Sequence, residues 1–176
     1  MAGKTIQINR APVLTLWAAV VAERMGFQED EALSLGKCVA GLNAQAKGRR
    51  LGIFTSREGG AKRARERKRG EEFWVELCGR PVPAKNTEEG VRAVKGDAVI
   101  GAASARVYLE KKFGDALDDV RRAMRRLAAA FKPDELEEKA FGLYEQFRPE
   151  IPRGVRGWGA KGVLDLAKVV ALASRG

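Results

Sequence analysis

Between residues 47 and 69 the chain carries ten basic side chains against two acidic ones, Glu58 and Glu66, a local surplus of +8. The whole chain of 176 residues has a surplus of +10, so the other 153 residues are close to neutral. Charge at that density does not enter an apolar core without partners. The fold is therefore expected to be a nearly balanced body built from the two flanks, with the basic segment carried outside it.

Both flanks read mainly as helix. Residues 12–25 place Val13, Leu16, Trp17, Val20 and Val21 at helical spacing, with Pro12 in the first turn and Gly26 as a C-cap. A second helix is predicted over 29–46, with Glu29, Asp30 and Glu31 at its positive end and Ala32, Leu35, Val39, Leu42 and Ala46 as its apolar stripe. Gly36 and Gly41 lie inside that helix. Each costs up to about 1 kcal/mol relative to alanine, which close approach of another backbone would offset.

Downstream, 102–112 and 115–131 predict two helices separated by Gly114. In the second, Leu117, Val120, Met124, Leu127 and Phe131 form a stripe, and the aspartates precede the arginines as the helix dipole favours. Asp118 and Arg122 are spaced for an i,i+4 pair. Pro133 opens a further helix lined by Leu136, Ala140, Leu143, Tyr144 and Phe147, and a last short helix is expected over 163–173.

The middle of the chain changes period. Residues 51–55 are a short apolar run, and Phe73, Val75 and Leu77 alternate with Trp74, Glu76 and Cys78. Residues 4–10 suit a strand or an extended arm. Pro81 and Pro83 argue against a central strand and leave 82–85 as an edge, while 86–97 reads as turn-rich. The expectation is one domain over 1–176, mainly α (α+β), with about six helices and a small antiparallel two- to three-stranded β element. Its first connection is the basic stretch 57–70. Two helices followed by strands with a long basic connection match the order of a winged helix-turn-helix.

Composition narrows the chemistry. With no histidine and two cysteines, Cys38 and Cys78, the chain lacks the means for a histidine triad, a closed zinc site or a disulfide scaffold. Both thiols fit buried, inert positions. No catalytic residue, metal site or cofactor is implied. The carboxylates fall at helix starts, where capping and the dipole explain them, although scattered acids could still build a metal-dependent nuclease. No apolar leader or membrane-spanning run occurs, so the expected location is cytoplasmic or nucleoid-associated, with no membrane partner.

The expected partner is an anion. Lys47, Arg49, Arg50, Arg57, Lys62, Arg63, Arg65, Arg67, Lys68 and Arg69 form a cluster in which arginine outnumbers lysine, as bidentate phosphate contacts favour. Asn43 and Gln45, on the polar side of the second helix with Ser34 and Lys37, are chemically able to read adenine edges. Glycines 154, 157, 159 and 162 alternate with Arg153, Arg156 and Lys161, and could turn backbone N–H groups and the following helix start toward an anion. Neither a Walker loop nor a dinucleotide fingerprint is present. Trp158 is either a packed plug or a stacking surface, and Trp74 either packs under a helix or stands beside the basic stretch. These features favour a non-catalytic binder of double-stranded DNA, with RNA as the nearest substitute. The rivals are an oligomeric interaction domain with a solvated basic loop, and a nuclease or phosphate-ligand enzyme.

Overall fold

The computed structural model describes residues 5–41, 53–55, 66, 68–96, 98–151 and 161–175. They begin with strand β1 (Thr5–Asn9), helix α1 (Arg10–Arg24), helix α2 (Glu29–Gly41) and the short strand β2 (Ile53–Thr55). Strands β3 (Glu72–Leu77), β4 (Arg80–Thr87), β5 (Gly90–Lys95) and β6 (Ala98–Val99) follow. Helix α3 (Ala102–Phe113) passes through a 3-10 turn (Gly114–Ala116) into α4 (Leu117–Ala129), then α5 (Pro133–Phe147), strand β7 (Lys161–Asp165) and α6 (Leu166–Arg175). The fold is mixed α+β, with two small sheets.

Helix α1 is the centre of the molecule. Every residue from Pro12 to Ala22 is buried, because α2, α3, α4 and α5 all pack around it. Trp17 is fully buried, as its place in the apolar stripe predicts, and its indole N–H donates to the Ala140 carbonyl at 2.8 Å. The ring meets Phe147 edge-on at 5.3 Å. At the end of α1, Phe27 N–H donates to Ala22 O and Gly26 N–H to Glu23 O, with Gly26 at φ 108°. This pair of bonds is a Schellman cap, which needs glycine at the turning residue.

The cost of Gly36 is offset by contact with α1. A Cβ there would lie 2.6 Å from Thr15 O and 2.9 Å from Ala19 N, both backbone atoms of α1. The small residue lets the two helices approach closely within one molecule. In α4 the expected stripe is buried from Leu117 to Leu127, but Arg122 meets Asp119 at 3.5 Å rather than Asp118.

The sheet departs from expectation in three places. First, β2 runs parallel to β3, pairing Ile53 with Trp74 and Thr55 with Glu76. The connection 56–71 is therefore a crossover between parallel strands, which needs a dozen or more residues, and not an antiparallel wing. Second, β4 lies between β3 and β5 despite Pro81 and Pro83. The β3–β4 hairpin turns through Cys78 and Gly79, both at positive φ as a type I′ turn requires. The alternation set by that turn sends positions 81 and 83 away from β3. The β5 ladder covers only Ala84 to Thr87, so neither proline meets a lost hydrogen bond. Third, the segment read as turn-rich forms β5, with Val91, Ala93 and Val94 buried. Its apolar residues did not alternate, so the period-two signal was missing.

The second sheet joins the two ends of the described chain, β1 pairing antiparallel with β7 from Thr5–Asp165 to Asn9–Lys161. The last helix thus begins at Leu166 and not at 163, since 161–165 is drawn into that pairing. Gly162 is required there: a Cβ would stand 2.7 Å from Glu150 O and 2.8 Å from Pro149 Cβ.

Candidate nucleic-acid interface

Of the residues singled out for anion contact, Lys68, Arg69, Trp74 and Lys161 lie among the described residues. Asn43, Gln45, Lys47, Arg49, Arg50, Arg57, Lys62, Arg63, Arg65, Arg67, Arg153, Arg156 and Trp158 lie outside them.

The basic stretch enters the sheet at Arg69, which bridges to Asn86, and Gly70 N–H donates to Asn86 O at 3.1 Å. Lys68 and Arg69 are exposed. Arg69 stands 3.9 Å from Glu88 across solvent, a pairing too open to hold it in place. Trp74 is half-buried on the outer side of β3, between Ile53 of β2 and Pro83 of β4. It is therefore not a freely exposed surface.

Lys161 is exposed at the start of β7, opposite Asn9. The helix start that was to serve the glycine-rich segment is already occupied. Asp165 Oδ1 accepts from Ala167 N–H at 2.9 Å, so a carboxylate of the chain itself caps α6.

The polar positions of α2 divide. Ser34 is fully buried: its hydroxyl donates to Ile100 O at 2.6 Å and accepts from Ala93 N–H at 2.8 Å. Glu31, read as a helix-start acid, does the same work one turn earlier. One of its oxygens accepts from Gln28 N–H at 2.9 Å and the other from Val91 N–H at 2.9 Å. These two side chains satisfy the edge of β5 where no strand covers it. Arg92, also buried, donates to Val91 O at 2.9 Å, and Gly90 lies between it and Glu31. None of this was visible in the sequence, because an acid in a first turn carries the same signal whether it faces water or a sheet edge.

Several arginines of the body are engaged. Arg24 donates to Phe131 O at 2.9 Å, Arg125 meets Glu23 at 3.2 Å, and Arg106 meets Asp30 at 2.9 Å and Glu29 at 3.7 Å. Arg80 donates to Val39 O at 2.9 Å and lies over the Phe141 ring at 5.2 Å, pinning the end of α2 to the hairpin and to α5.

Both cysteines are buried, as expected of inert thiols. Burial pushes the Cys38 thiol up to about 11 and that of Cys78 up to about 12. Among the described residues no three acidic or thiol side chains are grouped to hold a metal ion, and no helix is long and apolar enough to cross a membrane. Comparison with protein-family models, with curated proteins and with solved structures gave no match.

Proposed function

We propose that the protein binds double-stranded nucleic acid, preferentially DNA, without transforming it, through phosphate contacts made by the basic residues of 47–69. The observation that carries this is the +8 surplus of that segment beside a body of near-zero net charge. Neutralising a phosphate backbone releases its condensed counterions, which rewards such a cluster without demanding base-specific geometry. The partners of Arg24, Arg106 and Arg125 support it further, since they account for body arginines within the fold. Contacts from Arg153, Arg156 and Lys161 would add to the same surface. Base reading by Asn43 or Gln45 and stacking on Trp74 or Trp158 are not required.

A salt titration of binding to duplex DNA, single-stranded DNA and RNA tests this. The expected result is tightest binding to duplex DNA, with log affinity falling linearly as log salt rises. Replacing Arg63, Arg65, Arg67, Lys68 and Arg69 with glutamine should weaken binding and flatten that slope by about 1 per residue. No binding at low salt, or unchanged binding after the substitution, overturns the proposal.

A further inference from the structure

Helix α2 packs against both β5 and α3, and Lys37, Lys95 and Lys112 come one from each of the three. Lys37 Nζ stands 4.4 Å from the centroid of the Tyr108 ring, and Lys112 Nζ reaches the same ring at 6.0 Å. Both distances fall within cation–π range, so one half-buried tyrosine draws two ammonium groups together. Lys95 of β5 and Lys37 share a neighbour in Cys38: they are the two charges that lower its thiol, against the larger effect of burial. Ammonium groups drawn to one ring repel each other, and an anion between them relieves that repulsion. Among the described residues none of the three has an ion pair. The contrast with Arg106, on the same helix as Tyr108 and held by two acids, is direct.

Chain connectivity links this cluster to the basic segment. Lys37 lies in the second half of α2, whose last residue is Gly41. Lys47 follows six residues later, within about 20 Å of Gly41 even if the chain were fully extended.

We infer that Lys37 and Lys112, gathered at Tyr108, form with Lys95 of β5 a phosphate-binding patch on the folded body, adding to the contacts proposed for residues 47–69. The proposal rests on the nucleic-acid reading above and adds a fixed contact to it. The patch takes phosphodiester oxygens as point charges, which suits ammonium groups, and leaves the bidentate contacts to the arginines of the segment.

The test compares binding of a short labelled DNA duplex across salt by the wild-type chain and by the triple variant Lys37→Gln, Lys95→Gln, Lys112→Gln. A charge-matched control replaces Lys132, Lys139 and Lys168 with glutamine, and a third protein carries arginine at the three patch positions. The patch variant should lose about 3 from the salt slope, about 1 per lysine, while the control and the arginine variant keep it. Thermal midpoints show that each variant is folded, and the arginine variant answers if the glutamine one is not. An unchanged slope in the patch variant, or equal losses in patch and control, overturns the patch and leaves the parent reading standing. A wild-type chain that fails to bind duplex at low salt overturns both.

Discussion

The two ends of helix α2 carry opposite charges and dispose of them in opposite ways. At the first turn Glu29 and Asp30 share Arg106, and Glu31 turns inward with both oxygens engaged by backbone N–H groups. Toward the other end Lys37 leans over Tyr108 with no ion pair among the described residues, while the carbonyl of Val39 is taken by Arg80. Formal charge counts both ends alike. Pairing separates them: a hydrogen-bonded acid holds the sheet edge to the helix, whereas an ammonium without an ion pair projects a field that a passing anion can use.

The comparison breaks most readily at the acidic end. Glu31→Ala leaves the Val91 and Gln28 N–H groups without their acceptor, at about 1 to 3 kcal/mol for each donor left unsatisfied. A loss near 3 kcal/mol is expected from urea unfolding. An unchanged midpoint would mean that the acid contributes charge and not structure. Gly36→Ala comes next, at about 2 kcal/mol, because the new methyl must displace backbone of α1. Replacing Lys37, Lys95 and Lys112 with glutamine should move stability by no more than about 0.5 kcal/mol, which separates their role from that of Glu31. Arg106→Gln should likewise cost at most about 0.5 kcal/mol, and less in high salt, since its partners are solvent-exposed.

The smallest effect reads the lysine field itself. Lys37 and Lys95 pull the Cys38 thiol down against burial, so substituting both should raise it beyond about 11. Thiolate absorbance in a Cys78→Ser background would follow one group alone. The sign of the linked stability is fixed by the direction of the shift. The folded value is above the unfolded 9.0, so the contribution is full below that pH and is lost as pH rises toward about 11. A Cys38 titration that ignores the lysine substitutions would place the ammonium groups too far away to form a common patch.

Helical elements were legible because their apolar residues recur on one face: Val120, Met124 and Leu127 announce α4, and Pro133 its successor. Trp17 was readable as core for the same reason. The strand β5 was not, since Val91, Arg92, Ala93 and Val94 are all buried and carry no alternation. The prolines of β4 misled because their effect depends on which neighbour each N–H would have faced, a property of register and not of composition. The parallel course of β2 was hidden likewise, as direction of pairing leaves no mark in a three-residue run. For the candidate site, the basic segment was plain as a cluster in the chain. The proposed lysine patch was invisible, because residues 37 and 112 meet at Tyr108 only through folding.

The pairing of β1 with β7 bears on the order in which the molecule assembles. The α1–α2 hairpin and the β3–β6 meander are built from near neighbours and can form as soon as their own residues are available. Residues 5–9 precede the central helix, yet among the described residues their only sheet partner is a strand from the opposite end of the chain. During synthesis that strand edge must wait, open, until residues 161–165 arrive, while the helices behind it have already packed. Ile8, one of the largest fully buried side chains, is therefore among the last to leave water. A chain stalled before residue 161 should expose this edge, and hydrogen exchange at Ile6 and Ile8, whose partners Leu164 and Gly162 face β1, would record how late it closes.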